Sequence, residues 1–202
     1  MLDKVHDDGQ VQVWHGDCAE FLDSTQCPEQ IDAVLTDPPY DDRTHTGART
    51  NAKSGPDLVT FDSLSLESLK DVLCMIGEHH PAWVVMTCAI SHAADLERVY
   101  ANDPAIPDGL RYVRTGAFVK SNPMPQMTGD RPSQGFEAVA HLYGRPGKMA
   151  WNGGGHSGVY QFPVARGLHP TQKPDGLAQQ WLQWFTDPGD LVLDPFGGSG
   201  WM

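Results

Sequence analysis

Ile31-Asp32-Ala33-Val34-Leu35-Thr36-Asp37-Pro38-Pro39-Tyr40 is the stretch of this chain that first indicates its fold. The run from Ile31 to Thr36 is mostly apolar and is typical of a buried strand. The tetrad after it then lies on the loop that leaves the carboxyl end of the strand, where open α/β sheets bind ligands. Two successive prolines restrict φ and remove two backbone donors, so this loop is rigid. The alternative is an ordinary strand-ending turn, since Asp-Pro is common in turns.

Strand and helix patterns alternate after the tetrad. Residues at i, i+3, i+4 and i+7 predict a helix over Leu69–Ile76, with Ser63 or Ser65 as its N-cap. A buried strand is predicted over Trp83–Thr87 and a helix over Ser91–Tyr100. This alternation predicts a doubly wound α/β sheet.

The rest of the chain adds elements at both ends and a long loop in the middle. Asp17 is the expected N-cap of a short helix. Residues 41–57 predict a long polar loop, for which we favour a lid over an idle linker because it adjoins the tetrad. One helix is predicted to place Leu177, Trp181, Leu182 and Phe185 on one face. Further strands are predicted at Val11–Trp14, Tyr112–Val119, Phe136–Tyr143 and Leu191–Leu193.

Length and composition predict a single domain of 202 residues. Within it we distinguish residues 1–110, a loop-rich region at 111–168 and a terminal segment at 169–202. A secretory signal and a membrane span are not apparent, so a cytoplasmic location is expected. The four cysteines are scattered. Because they form no Cys-x-x-Cys pair, neither a disulfide framework nor a metal site is expected.

Charge is distributed unevenly along the chain, whose formal net charge is −12. Residues 111–173 contain eight lysines and arginines against two acids, a local charge of +6, and the remainder carries −18. A basic, loop-rich segment with interleaved aromatic residues is typical of a surface that faces nucleic acid. The candidate contacts, whose alternative is simple loop structure, are Lys120, Asn122, Arg131 and Trp151.

A glycine-rich stretch, Asp194-Pro195-Phe196-Gly197-Gly198-Ser199-Gly200, follows the last predicted strand. It is not a phosphate-binding P-loop, because no Lys-Ser/Thr follows the glycines, and it lacks a full dinucleotide fingerprint. Glycines let the backbone approach a ligand closely, and an acid stands at the strand end. These features suit a cationic nucleoside that carries an amino acid, such as S-adenosylmethionine, better than a phosphate.

Four motifs, taken in order, make a family resemblance. They are Asp37-Pro38-Pro39-Tyr40, Lys120-Ser121-Asn122-Pro123-Met124-Pro125, His169-Pro170-Thr171-Gln172-Lys173-Pro174 and the stretch from Asp194 to Gly200. Together with Gly16-Asp17-Cys18, they resemble the amino-methylating (N6-adenine or N4-cytosine) DNA methyltransferases with the β motif order, which occur in bacteria and phages. The resemblance covers nearly the whole chain. It implies a Rossmann-like, S-adenosylmethionine-dependent sheet with permuted order and a target-recognition insert.

The resemblance also implies roles for individual residues. Asp37 and the carbonyl of Pro38 are expected to accept the N–H groups of the target amine, Pro39 to keep the loop fixed, and Tyr40 to stack on the flipped base. The cofactor S-adenosylmethionine is expected to be held by Asp17, Cys18, His169, Thr171, Lys173, Asp194, Phe196, Gly197, Gly198, Ser199 and Gly200.

The resemblance implies methyl transfer from S-adenosylmethionine to adenine N6 in double-stranded DNA, because the family pattern favours adenine where Asp rather than Ser precedes Pro-Pro-Tyr. Cytosine N4 is the nearest alternative, and an RNA or protein-glutamine methyltransferase is a more distant one. The family's glycine-rich loop continues into a helix and a strand, whereas this sequence ends at Met202. A truncated end is therefore expected, and an inactive remnant that binds only DNA or cofactor is a third reading. The oligomeric state stays open.

Overall fold

The computed structural model describes residues 1–39, 64–102, 109–164, 172–198 and 200. Several predictions fall outside the described residues. They concern Tyr40, the loop at 41–57, Ser63, His169, Thr171 and Ser199.

A six-stranded mixed sheet forms the centre of the described structure. Its strands are β3 (Ala33–Thr36), β4 (Trp83–Cys88), β5 (Arg111–Lys120), β6 (Phe136–Tyr143), β7 (Val159–Phe162) and β8 (Val192–Leu193). They lie in the order β7-β5-β6-β4-β3-β8. β3 lies between β4 and β8 and is parallel to both, whereas β6 is antiparallel to β4 and β5. The helices are α1 (Cys18–Leu22), α2 (Leu66–Glu78), α3 (Ile90–Asn102) and α4 (Asp175–Phe185).

Helices cover both faces of the sheet, which explains why β3 and β4 are mostly apolar. Every residue of β3 and β4 is buried. On one face Val34 and Val84 share a core with α2 and α3, through residues such as Leu73. On the other face Leu35 and Val85 share a core with α4. Strands buried on both faces read as continuous apolar runs, and this arrangement confirms the predicted α/β class.

Capping explains where the first helices begin. The carboxylate of Asp17 accepts from the backbone N–H of Ala19 at 2.9 Å and of Glu20 at 3.1 Å. The Ser65 hydroxyl accepts from the backbone N–H of Ser68 at 3.1 Å. Side-chain oxygens at these positions satisfy donors that have no partner within the helix. Both predicted caps, Asp17 and Ser65, are therefore present.

Two features of the strands differ from the sequence prediction. The predicted strand at Val11–Trp14 is β2 (Gln12–His15), which pairs only with β1 (Asp3–Asp7) in a separate antiparallel hairpin. β7 was not predicted, because its four residues follow a glycine-rich loop and carry little periodic signal. It pairs in parallel with β5 from Ala117 to Lys120. The basic segment thus supplies three strands of the central sheet as well as loops.

Among the described residues, no helix is both long and apolar enough to cross a membrane. The same part of the chain contains no group of three or more His, Cys, Asp or Glu side chains placed to hold a metal ion.

Candidate active site

Two acidic residues leave the carboxyl ends of neighbouring parallel strands. Asp37 follows β3 and Asp194 follows β8, and the two strands pair with Val34 opposite Leu193. β3 connects through α2 on one face of the sheet, and β8 is preceded by α4 on the other face. Such a change of side opens a crevice at the carboxyl edge of an α/β sheet. The fold therefore places both acids at the edge where ligands bind.

Asp37 is held by a lysine and a threonine. The ammonium of Lys173 lies 2.7 Å from Oδ1 and 2.7 Å from Oδ2 of Asp37. The hydroxyl of Thr87, near the end of β4, also donates to Oδ1. A carboxylate has about four acceptor positions on its two oxygens. These three bonds therefore fix the orientation of Asp37 and leave acceptor capacity on Oδ2.

Lys173 is nearly buried, with 9% of its side chain exposed, and it contacts a second acid. Its ammonium lies 3.2 Å from Oε2 of Glu137, which stands near the start of β6. Burial by itself lowers the pKa of Lys173, but the charges of Asp37 and Glu137 and the hydrogen bonds to them raise it overall. Lys173 is therefore a fixed cation of this site, and not a proton donor near neutral pH.

Asp194 is the most perturbed acid of the site. Its Oδ1 accepts from the Thr36 hydroxyl at 2.5 Å and from the Phe196 backbone N–H at 3.0 Å. Burial raises the pKa of Asp194 to about 6, and the charge of Asp37 adds a smaller increase. The two hydrogen bonds lower the pKa but do not cancel the effect of burial. Its Oδ2 is buried and has no hydrogen-bond partner among the described residues. A buried acceptor of this kind fits a donor, above all a cationic one.

The glycine-rich stretch is open on the side of its missing Cβ atoms. Gly198 and Gly200 have φ of 52° and 73°, a backbone conformation that L-residues rarely adopt. Among the described residues, a Cβ at Gly197 would meet no heavy atom within 4 Å. Beside the buried Oδ2 of Asp194, this bare backbone fits a bulky cationic ligand that carries an amino group. The residues present are thus compatible with S-adenosylmethionine.

Asp17 and Cys18 lie at the start of α1. Asp17 is engaged as the helix cap, as described above. The half-buried Cys18 packs against the same core cluster as Phe196, which links α1 to the glycine-rich end. Burial, followed by the charge of Asp17, raises the pKa of the Cys18 thiol, so it stays protonated. The four cysteines are all free.

The four candidate DNA contacts occupy different environments. Lys120 lies 2.7 Å from Oε1 of Glu137, and Arg131 pairs with Asp130 on the surface. The Asn122 side chain accepts from the backbone N–H of Val164 at 2.5 Å. The indole of Trp151 packs against Trp83, Trp184 and Phe185, and its N–H donates to the Gly154 carbonyl at 2.7 Å. None of these contacts tests a role in DNA binding, which stays a prediction.

Sequence reasoning missed three residues of this site: Thr36, Thr87 and Glu137. The two threonines lie at or near the ends of mostly apolar strands and gave no signal of their own. Glu137 was detectable in principle, because it is an acid in a strand whose next six residues are all buried. An acid at such a position is seldom tolerated without a partner.

The comparisons with known proteins agree with the fold and with the motifs. Residues 144–202 match the family described as DNA methylase, N6_N4_Mtase. Type II methyltransferase M2.DpnII of Streptococcus pneumoniae is 25% identical over 217 residues, which cover 92% of this chain and 76% of that protein. DNA adenine methyltransferase YhdJ of Escherichia coli K12 is 47% identical over 47 residues, or 20% of this chain and 16% of that protein.

Solved structures share the fold at lower identity. The M1.HpyAVI complex with S-adenosylmethionine has a TM-score of 0.63 and 23% identity, covering 93% of this chain and 83% of that one. The cytosine-N4-specific PvuII DNA methyltransferase has a TM-score of 0.65 and 16% identity, covering 92% and 74%.

The fold and the edge of the sheet that carries Asp37 and Asp194 define the class: an α/β protein with the architecture of DNA methyltransferases. Within that class, the family match and the relatives confirm the predicted resemblance to the amino-methylating DNA methyltransferases, which depend on S-adenosylmethionine.

Proposed function

We propose that this chain transfers a methyl group from S-adenosylmethionine to the N6 amine of an adenine flipped out of double-stranded DNA. The observation that carries the proposal is the orientation of Asp37. Its carboxylate is fixed by Lys173 and Thr87 at the carboxyl end of β3, beside Asp194 at the end of β8. A rigid acceptor next to a ligand-binding edge is what methylation of an amine requires.

The target amine is a poor nucleophile, because its lone pair is delocalised into the base. Asp37 and the carbonyl of Pro38 accept its two N–H bonds and draw the nitrogen towards tetrahedral geometry. As the new bond forms, positive charge develops on nitrogen, and Asp37 stabilises that charge more strongly than it stabilises the neutral amine. Interactions that strengthen in the transition state accelerate the reaction. Because the acceptors are already oriented, little reorganisation is needed.

Asp37 is not required as a strong base. The nitrogen becomes acidic only as it is alkylated, so its proton leaves late, to Asp37 or to water. This order is consistent with the contact between Asp37 and a fixed cation, Lys173, which holds the carboxylate in place as a hydrogen-bond acceptor.

S-adenosylmethionine, when bound, supplies an electrophilic methyl group on a sulfonium. Asp194 would accept a hydrogen bond from the amino-acid end of the cofactor through Oδ2, which is buried and has no partner among the described residues. The glycines from Gly197 to Gly200 would let the backbone approach the cofactor, and Asp17 and Cys18 would contact its nucleoside end. The predicted roles of His169, Thr171 and Ser199 belong to the same proposal.

The DNA-facing surface is proposed on charge. Part of the +6 excess of residues 111–173 is used inside the protein, since Arg145 pairs with Asp32 at 2.8 Å and Lys173 with Asp37. Arg131 is an exposed cation, and Lys120 and Asn122 lie near the carboxyl end of β5, at the same edge of the sheet as Asp37. Cations at this edge contact the phosphates of DNA. Stacking of the flipped base on Tyr40 offsets part of the cost of base flipping, which is about a few kcal/mol.

Adenine is preferred to cytosine as the target. The tetrad begins with Asp, and YhdJ, which matches a 47-residue segment of this chain, is an adenine methyltransferase. Cytosine N4 is the alternative, since the fold is shared with a cytosine-N4 enzyme.

The proposal is tested by incubating the protein with S-adenosylmethionine labelled in the methyl group and with double-stranded DNA, or with RNA as a competitor. Wild-type protein is expected to label DNA, and RNA is expected to compete weakly. Asp37→Asn preserves the shape of the side chain but removes its charge, and it is expected to lower kcat at least about 100-fold, as loss of a transition-state partner does. Equal labelling by the variant would refute the role of Asp37.

A further inference from the structure

Four charged side chains of alternating sign form a continuous chain across the active site. Lys120 lies 2.7 Å from Glu137, Glu137 lies 3.2 Å from Lys173, and Lys173 lies 2.7 Å from Asp37. They belong to β5, to β6, to the segment before α4 and to the end of β3. Glu137 has 17% of its side chain exposed and Asp37 has 19%. Electrostatic interactions are therefore stronger here than on an open surface.

Lys173 is shared between two carboxylates. Its ammonium makes two close contacts with Asp37 and one with Glu137. The position of this cation depends on the balance between the two acids. Without the charge of Glu137, the ammonium would be attracted more strongly to Asp37.

That balance matters for Asp37. A carboxylate that is fully neutralised by an ammonium attracts a developing positive charge less strongly than one that shares its cation. It also has less acceptor capacity left for a target N–H. Both effects act on the transition state through Asp37, without a direct contact to cofactor or DNA.

We propose that Glu137 is a positioning residue of the active site, which holds part of the Lys173 charge away from Asp37 and so leaves Asp37 able to accept and stabilise the target amine. Lys120 is a counter-ion of Glu137, at 2.7 Å from its Oε1. The inference rests on the proposed function, because it assigns a task to the contacts of Asp37.

The test is a steady-state comparison of wild-type protein, Glu137→Gln and Glu137→Asp. Glu137→Gln removes the charge and keeps the shape, and kcat is expected to fall by roughly 10- to 100-fold, as when a charge-assisted hydrogen bond is lost. KM for DNA and the affinity for S-adenosylhomocysteine, measured by calorimetry, are expected to change less than about threefold. Glu137→Asp keeps the charge and is expected to recover most of kcat.

Two further variants separate this role from a structural one. Glu67→Gln removes an acid that pairs with Lys70 on the surface of α2, and it is expected to leave kcat unchanged. The double variant Lys120→Met/Glu137→Gln removes one cation and one anion, so it keeps the net charge and is expected to fold even if the single variant does not. At saturating DNA its kcat is expected to be as low as that of Glu137→Gln.

The outcomes are distinguishable. Wild-type kcat in both variants that lack the Glu137 charge would overturn the positioning role and leave the proposed function standing. Equal loss in Glu137→Asp and Glu137→Gln would also overturn it, because charge would not be the cause. Absence of methyl transfer by the wild-type protein would overturn the proposed function and the inference with it.

Discussion

Replacing Lys173 by methionine tests the buried ion pair on which the active site depends. Methionine has a similar length and is apolar, so it fills the same space without a charge. The substitution removes the three contacts of the ammonium with Asp37 and Glu137. It leaves two carboxylates close together with no cation between them.

The magnitude follows from burial. Removing one partner of a fully buried ion pair costs about 3–5 kcal/mol. Here the carboxylates remain 19% and 17% exposed and keep Thr87 and Lys120 as partners, so the cost is lower. We expect the free energy of unfolding to fall by about 2–4 kcal/mol at pH 7, which corresponds to a Tm lower by roughly 5–15 °C for a domain of this size.

Urea denaturation followed by circular dichroism measures this change, provided that the slope with urea is the same in both proteins. The matched control is Lys70→Met, which removes a lysine paired with Glu67 on the surface of α2. Such a pair is worth at most about 1 kcal/mol. If Lys173→Met lowered the free energy of unfolding no more than Lys70→Met does, the stabilising role of the buried ion pair would be refuted.

Three other predictions follow from single contacts. Because the pKa of Asp194 is about 6 in the folded protein against a reference value of 3.8, its contribution to stability is present below pH 3.8 and lost as the pH rises through 6. Between pH 4 and 7 the free energy of unfolding of the wild-type protein, measured by urea titration, is expected to fall by about 2–3 kcal/mol relative to that of Asp194→Asn. Parallel curves of unfolding free energy against pH for the two proteins would contradict this. Gly116→Ala would place a Cβ 2.3 Å from the Gly158 carbonyl oxygen, so the free energy of unfolding is expected to fall by about 1–3 kcal/mol. The control is Gly135→Ala, whose Cβ would meet no heavy atom of the described residues within 4 Å, and equal Tm values for the two variants would contradict the β5–β7 packing. Asp17→Ala is expected to cost about 1 kcal/mol in the same denaturation assay through loss of the α1 cap, and an unchanged Tm would count against the cap.

Local patterns predicted the elements well, because burial imposes a period on each strand and helix. The strand at Phe136–Tyr143 has the predicted bounds, and the strand and helix that follow the tetrad differ from prediction by only a few residues. The pairing of strands was harder to predict from the sequence. Nothing in the residues of β2 indicates that it pairs with β1 outside the main sheet, since strand partners are chosen by contacts distant in sequence.

The site shows the same division between local and distant information. Motif order predicted functional roles for Asp37, Asp194 and Lys173, and it assigned Lys173 to the cofactor. The structure brings Lys173 to Asp37, which is 136 residues away in sequence. That contact depends on how the segment before α4 packs against the end of β3, and no spacing rule contains this information. The proposed cofactor role of Lys173 remains a prediction beside this observed contact.

Identification of the modified base tests the central claim most directly. Double-stranded DNA is incubated with S-adenosylmethionine and either wild-type protein or Asp37→Asn, then digested to nucleosides and analysed by mass spectrometry. The account predicts N6-methyladenine with the wild-type protein and at least about 100-fold less with the variant, because the fixed carboxylate is the acceptor for the target amine. N4-methylcytosine in its place, or equal amounts of N6-methyladenine from both proteins, would contradict the account.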